Sequence, residues 1–104
     1  MDPIFHVALR PDWEAAQADG EYRMSTVGRT LEDEGFIHCS TASQVDMIVS
    51  RFYAGTPDVV VLTIDPAKID AEIRFENLEG GREQFPHIYG PLPVDAVTAA
   101  VPRP

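Results

Sequence analysis

The chain has 104 residues and a mass of 11.5 kDa, which predicts a single domain spanning residues 1–104. Seventeen acidic residues outweigh eight basic ones and give a net charge of −9, so neither duplex nucleic acid nor an anionic membrane is an expected partner. The longest apolar stretch is far shorter than the roughly 20 residues of a membrane span. The N-terminus lacks a secretory-signal pattern and the one cysteine excludes an intrachain disulfide, so we expect a cytoplasmic protein.

The first half of the chain mixes strand and helix signals. The predicted elements are a strand over 3–8, a helix over 11–18 that Gly20 ends, a helical turn over 30–34 that Gly35 ends, and a short strand over 36–39.

The clearest helix signal follows these elements. Thr41 and Gln44 have the spacing of a capping box, in which each side chain satisfies a free backbone donor of the other residue, and this predicts the main helix over 42–54. The residues that share one face of this helix are Val45, Ile48, Val49, Phe52 and Tyr53, and the first four are predicted to pack on the sheet.

The second half of the chain is dominated by strand patterns. The predicted strands are a buried one over 58–65, a half-exposed one over 71–76, an extended segment over 85–89 and a last strand over 96–101. Residues 77–84 predict a loop, and Gly90, Pro91 and Pro93 predict a turn. The order of elements indicates an α+β domain with a small split antiparallel β-sheet and two to three helices.

The three histidines, His6, His38 and His87, occupy similar positions in the sequence. Each lies on a short extended segment beside aromatic residues, although β-structure places no demand for histidine there. Any one of them can be a structural residue that fills a polar gap. Three in the same pattern favour a shared site, so we expect all three to line one cleft.

Other sites have weaker support from the residues. Zinc binding by the three histidines is possible in principle, but no closely spaced histidine pair supports it. Cys39 alternates with His38 along its strand, which favours burial over reactivity. If an anion binds, the sequence predicts it at Ser40–Thr41, beside the start of the main helix, rather than at Arg51.

Several motifs together resemble domain-of-unknown-function family 952, and the resemblance covers nearly the whole chain. They are Ile4-Phe5-His6-Val7-Ala8, Asp12-Trp13, Gly35-Phe36-Ile37-His38-Cys39-Ser40-Thr41, Arg51-Phe52-Tyr53 and Phe85-Pro86-His87-Ile88-Tyr89-Gly90-Pro91-Leu92. That family is similar to proteins with the ADP-ribosyltransferase-like fold, in which a split β-sheet binds NAD. The resemblance therefore implies this fold and NAD as a cofactor.

The resemblance also assigns roles to individual residues. His6 matches the histidine that holds a ribose hydroxyl of NAD, and His38 is the candidate to pack against nicotinamide. The stretch 85–89, where many such transferases carry a catalytic glutamate, offers His87 and Tyr89 but no acid. On this basis His38 and His87 are the catalytic candidates, and the candidates for cofactor binding are His6, Ser40, Thr41 and Tyr89.

Three hypotheses about function follow. The first is an NAD-dependent enzyme, similar to ADP-ribosyltransferases or phosphotransferases, that uses a cleft lined by three histidines. The second is a non-catalytic module that binds NAD, ADP-ribose or another phosphorylated ligand. The third is a small metalloprotein with histidine ligands. In the first two, the partner is a small nucleotide ligand.

Overall fold

The computed structural model describes residues 1–77 and 81–103. Its strands are β1 (Ile4–Leu9), β2 (Glu21–Tyr22), β3 (Met24–Thr26), β4 (Arg29–Thr30), β5 (Ile37–His38), β6 (Val59–Ile64), β7 (Glu72–Glu76), β8 (Phe85–Tyr89), β9 (Leu92–Pro93) and β10 (Val97–Arg103). Its α-helices are α1 (Arg10–Asp19), α2 (Leu31–Glu34) and α3 (Val45–Phe52). The predicted α+β class is confirmed, with several small antiparallel sheets in place of one split sheet.

Strand β6 lies at the centre of the fold. It pairs antiparallel with β1 on one side and with β10 on the other. Because side chains alternate along a strand, Val60 and Leu62 enter the larger core, where Trp13 of α1 also packs, while Val61 faces the side covered by α3. Burial on both faces explains why this strand is almost entirely apolar.

A second three-stranded sheet has the order β5-β8-β7 and is antiparallel throughout. A two-way backbone pairing between Phe5 and Ser40, with N···O distances of 2.7 and 2.8 Å, ties it to the central sheet. Strand β1 of the central sheet is therefore held directly beside the segment that follows β5.

The two helix starts that resemble capping boxes differ in the structure. At α2 the box is complete: the Thr30 hydroxyl accepts from the Asp33 N–H, and the Asp33 carboxylate accepts from the Thr30 N–H. Gly35 then ends α2 in the left-handed region, at φ 88°. At Thr41 only half of a box forms, since the Gln44 side chain accepts from the Thr41 N–H without the reverse bond.

The main helix begins later than predicted, because the capping box at Thr41 is incomplete. The N–H groups of Gln44 and Val45 both donate to the Thr41 carbonyl, so residues 42–44 form a turn and α3 begins at Val45, not at residue 42. The prediction for Phe52 was also wrong, because its side chain is 62% exposed. Val45, Ile48, Val49 and Tyr53 belong to the hydrophobic cluster that includes β1 and β6 residues, and Phe52 does not.

Short strands account for most of the other differences. Strands β2, β3, β4 and β9 form where the sequence indicated no strand or a turn, since pairs of two or three residues leave little periodic signal. Of the loop predicted over 77–84, residues 78–80 lie outside the described residues. Within the described part of the chain, no helix has both the length and the apolar character needed to cross a membrane.

Candidate active site

A cleft of about 880 Å³ lies between the outer face of the β5-β8-β7 sheet, the β3–β4 hairpin and one side of α3. His6, His38 and His87 all belong to its wall, as the sequence analysis expected. The three residues differ in what their ring nitrogens contact, and this separates one of them from the other two.

Strand alternation brings His38 and His87 together. His38 of β5 pairs directly with His87 of β8, and their neighbours Ile37 and Ile88 form the adjacent pair. Ile37 and Ile88 are completely buried in the core, so the two histidines must point to the opposite face, toward the cleft. The ring centroids of His38 and His87 are 5.3 Å apart, with the planes nearly perpendicular.

His87 forms a hydrogen-bonded pair with a glutamate. Its Nδ1–H donates to the Glu76 carboxylate at 2.9 Å, and the Tyr89 hydroxyl donates to the same oxygen. These hydrogen bonds, first from Tyr89 and then from His87, hold the pKa of Glu76 below its usual range. The Nε2 atom of His87 has no hydrogen-bond partner among the described residues, where no buried side-chain nitrogen is left unpaired, so this atom opens to the cleft.

His38 has a carboxylate of its own. Its Nε2–H donates to Glu34 at 3.1 Å, and Arg29 contacts the other oxygen of Glu34 at 3.0 Å. The carboxylate can only accept, so in the neutral ring the lone pair is on Nδ1, which has no partner within residues 1–77 and 81–103. His38 and His87 thus each have one nitrogen held by a carboxylate and one nitrogen free.

Phe36 fixes the orientation of both rings. It is stacked on His87 with ring centroids 4.3 Å apart, and it meets the edge of His38 at 4.7 Å. Phe36 is itself largely buried, and the hydroxyl of Ser25 donates to its backbone carbonyl. The two imidazoles are therefore held by packing as well as by hydrogen bonds.

His6 has no such free nitrogen. Its Nδ1–H donates to the His38 backbone carbonyl at 2.5 Å, which leaves Nε2 to accept from the Tyr22 hydroxyl at 2.9 Å. Burial lowers the pKa of His6 to about 4 and raises the pKa of Tyr22, so the ring is neutral and the phenol protonated at neutral pH. A ribose hydroxyl could reach a His6 nitrogen only by displacing one of these partners, and the assignment of His6 to ribose stays a prediction.

The other predicted binding residues are divided among different surfaces. Ser40 lines the histidine cleft, and its hydroxyl has no partner among the described residues. Thr41 lines a second, smaller cleft of about 460 Å³ beside the N-terminal residues. Tyr89 contacts the catalytic candidates through Glu76 and Phe36, while the Arg74 guanidinium lies 4.4 Å from its ring centroid.

The basic residues of the chain are unevenly paired. Five of the eight form ion pairs with carboxylates: Arg10, Arg23, Arg29, Arg74 and Arg103. The remaining three, Arg51, Lys68 and Arg82, form none among the described residues. Two of these, Arg51 and Arg82, line the histidine cleft. The same cleft is also lined by Glu34, Glu76 and Glu83, and Glu34 forms the ion pair with Arg29.

Two other chemistries find no support in this geometry. Cys39 is buried, and its burial raises the pKa of the thiol, which disfavours the thiolate needed of a nucleophile. Within residues 1–77 and 81–103, no group of three His, Cys, Asp or Glu residues is arranged to hold one metal ion.

The sequence analysis missed both carboxylates of the site. Glu76 was predicted only as part of the exposed face of a strand, but in the β7–β8 ladder it pairs with Phe85 and so lies diagonal to His87 on the same face. Pairing the predicted strands 71–76 and 85–89 across their loop would have indicated this contact. Glu34 lies four residues before His38, a spacing obscured by the helix end at Gly35.

Comparison with known proteins confirms the family. The model of the family described as "Protein of unknown function (DUF952)" matches residues 7–100. The chain belongs to the DUF952 family. Because this description names no activity, membership does not test the likeness to ADP-ribosyltransferases. No curated protein matches the chain.

Solved structures of CC0527 from Caulobacter crescentus share this fold. The chain in the crystal structure is 29% identical in sequence to this DUF952 chain, with a TM-score of 0.81, and the match covers 97% of this chain and 93% of CC0527. The solution NMR structure of CC0527 is 31% identical, with a TM-score of 0.79, and covers 97% of this chain and 84% of the other.

Proposed function

We propose that the histidine cleft is an active site in which His38 and His87 act as a general acid–base pair on a phosphorylated, nucleotide-type substrate such as NAD. The observation that carries this proposal is the 5.3 Å separation of the two rings, each held by its own glutamate. Carboxylate partners fix the tautomer of a histidine and stabilise its protonated form, as a proton-transfer group requires.

The free ring nitrogens of His38 and His87 define the roles of the two residues in this proposal. A neutral ring takes a proton from an attacking hydroxyl or water, while the protonated partner ring gives a proton to the leaving oxygen. Glu76 remains ionised because its pKa is lowered, so it keeps the Nδ1–H of His87 engaged and leaves Nε2 for chemistry. No metal is needed for proton transfer of this kind.

Two arginines at the wall of the cleft favour an anionic substrate. Arg51 and Arg82 lack carboxylate partners among the described residues, and phosphate is the anion that guanidinium groups bind best in bidentate geometry. We place a phosphate of the substrate at these arginines and not at Ser40–Thr41, because the N–H groups of Gln44 and Val45 already donate to the Thr41 carbonyl. Ser40 remains a candidate for a hydrogen bond to the ligand.

ADP-ribosyl transfer and phosphoryl transfer make different use of an acid–base pair. Nicotinamide leaves NAD as a neutral molecule without taking a proton, so ADP-ribosyl transfer would use only one histidine as a base. Phosphoryl transfer to or from a ribose oxygen uses both, because an oxygen leaving group needs a proton. The pair therefore favours the phosphotransferase-like form of the proposal.

The test compares two probes with matched variants. In one assay the protein is incubated with NAD, and the release of nicotinamide is measured. In the other it is incubated with adenosine 2′,3′-cyclic phosphate, and the opening of the cyclic phosphate is measured. We expect turnover of the cyclic phosphate with a bell-shaped pH profile. The turnover rate should fall by about 100-fold or more in His38→Gln and in His87→Gln. It should not fall in Lys68→Gln, which removes a charge that lies outside the cleft and has no ion pair among the described residues. Equal rates in the parent protein and both histidine variants would contradict the proposal.

A binding module without catalysis is the second candidate. Arg51 and Arg82, which form no ion pair with the described residues, and the volume of the cleft suit a phosphorylated ligand whether or not chemistry follows. A rise in melting temperature with NAD or ADP-ribose, together with no turnover of either probe, would favour this alternative.

A further inference from the structure

The histidine pair accounts for only a small part of the cleft. Two rings 5.3 Å apart span a few atoms of a ligand, whereas the cleft of about 880 Å³ is near the upper end of the range for small-molecule sites. A substrate that fills it must contact the remaining wall, and the chemistry of that wall indicates what else the substrate carries.

Exposed apolar side chains cluster at the mouth of this cleft. Six large hydrophobic residues of the described chain are exposed: Met1, Val27, Met47, Phe52, Phe75 and Val101. Three of them, Val27, Met47 and Phe52, line the cleft, and we call these three the apolar mouth. Exposed apolar groups concentrated in one concave region mark a binding surface, whereas scattered ones do not.

The apolar mouth is built mainly from one side of α3. Met47, Ile48, Arg51 and Phe52 line the cleft at helical spacing. Phe52 would be expected in the core from its place in the apolar stripe, yet the residue is 62% exposed. A large aromatic ring held on a helix at the edge of a cleft offers an open face for stacking.

An unpaired positive charge lies beside this ring. The Arg51 guanidinium is 5.7 Å from the centroid of Phe52, and Arg51 has no ion pair in the part of the chain that the structure describes. Apolar surface and unneutralised charge are therefore adjacent. A ligand that satisfies both has a planar ring joined to an anionic group.

We propose that the apolar mouth is a subsite for the planar base of a nucleotide, with the base stacked on Phe52 and its phosphate held by Arg51. This inference rests on the proposed function and deepens it by naming the group that is recognised away from the histidines. The base and phosphate fix the nucleotide in the same cleft that His38 and His87 line.

The experiment separates ring recognition from phosphate recognition. Binding of AMP, ribose 5-phosphate and adenosine is measured by calorimetry. Base–aromatic stacking typically contributes about 1–3 kcal/mol per base, so Phe52→Ala is expected to weaken AMP binding by about 5- to 150-fold and to leave ribose 5-phosphate unchanged. Arg51→Gln is expected to weaken AMP and ribose 5-phosphate alike and to leave adenosine unchanged.

Two control variants match these substitutions. Phe75→Ala removes another exposed phenylalanine that lies outside the cleft, and Lys68→Gln removes another unpaired charge outside it. Neither should alter AMP binding. The subsite is overturned if the parent protein does not bind AMP at millimolar concentration, if Phe52→Ala weakens ribose 5-phosphate as much as AMP, or if Phe75→Ala is as damaging as Phe52→Ala.

The outcomes also distinguish the subsite from the acid–base proposal. If His38→Gln and His87→Gln leave turnover unchanged while Phe52→Ala selectively weakens AMP, the acid–base proposal fails and the subsite stands. If both histidine variants lose turnover but Phe52→Ala has normal AMP binding, the subsite fails and the acid–base proposal stands. Phe52 is exposed, so its replacement should preserve the fold, which circular dichroism can verify.

Discussion

His6 and His87 are buried to nearly the same extent, with 2% and 4% of their surface exposed, yet they are equipped for different tasks. Both nitrogens of His6 are bonded to neutral groups of the chain, a carbonyl and a phenol. His87 has a carboxylate on one nitrogen and the cleft at the other. Burial alone therefore does not separate the two histidines; the partners of their ring nitrogens do.

The charge of the partner explains the difference. A buried imidazole among neutral groups cannot easily take up a proton, and the pKa of His6 is accordingly low, about 4. His87 instead has a carboxylate on its Nδ1 atom. The fold thus uses His6 to fix the backbone of His38 and leaves His38 and His87 at the wall of the cleft.

The largest effect should come from removing the structural histidine. His6→Ala leaves a cavity and deprives the Tyr22 hydroxyl and the His38 carbonyl of their side-chain partner, so we expect a loss of about 2–4 kcal/mol in the free energy of unfolding. Urea denaturation measures this loss. His38→Ala is the control, because its half-exposed side chain should cost less than about 1 kcal/mol. Equal losses in the two variants would contradict the division of roles.

The pH dependence of stability should also reveal His6. The pKa of His6 is about 4 in the folded protein and near 6.5 when unfolded, so between these values the unfolded state binds more protons. Stability contributed by neutral His6 is therefore complete above pH 6.5 and falls with decreasing pH, by at most about 1.4 kcal/mol per pH unit.

A variant that cannot titrate provides the comparison for this slope. His6→Gln keeps a polar side chain but takes up no proton, so its unfolding free energy should vary less between pH 6.5 and 4. Urea titrations of the two proteins at several pH values measure the difference. The same slope in both proteins would mean that other groups dominate this pH range.

Chemical modification should distinguish two reactive histidines from one unreactive histidine. Diethyl pyrocarbonate attacks an unprotonated nitrogen that is free of hydrogen bonds, which His38 and His87 have and His6 lacks. We expect two histidines to react in the folded protein, with His38 faster because it is more exposed, and the third to react only in denaturant. Mass spectrometry of the modified peptides assigns the sites. Early modification of His6 would show that its two hydrogen bonds open readily.

The sequence could reveal the elements but only part of the site. The alternation of isoleucine and histidine at Ile37-His38 and at His87-Ile88 already determines which faces the two rings occupy. The strand pairing that brings the rings together is non-local, and so is the contact of Glu76 with His87. The closed state of His6 depends on Tyr22, sixteen residues away on a two-residue strand that leaves no periodic signal.

The smallest effect, and the sharpest test of how Glu76 is held, should come from Tyr89→Phe. The Tyr89 hydroxyl is the first cause of the lowered pKa of Glu76, and the His87 Nδ1–H is the second. Removing the hydroxyl should therefore move the pKa of Glu76 upward, toward its usual value, without releasing His87.

A lowered carboxyl pKa stabilises the fold above the unfolded pKa, and that contribution disappears as the pH falls through the folded value. The variant should therefore be slightly less stable than the parent protein at neutral pH, and the two should converge in acid. Carboxyl-carbon NMR titration of Glu76 measures the shift, and diethyl pyrocarbonate should still modify His87. A pKa of Glu76 unchanged in Tyr89→Phe would mean that His87 alone holds the carboxylate.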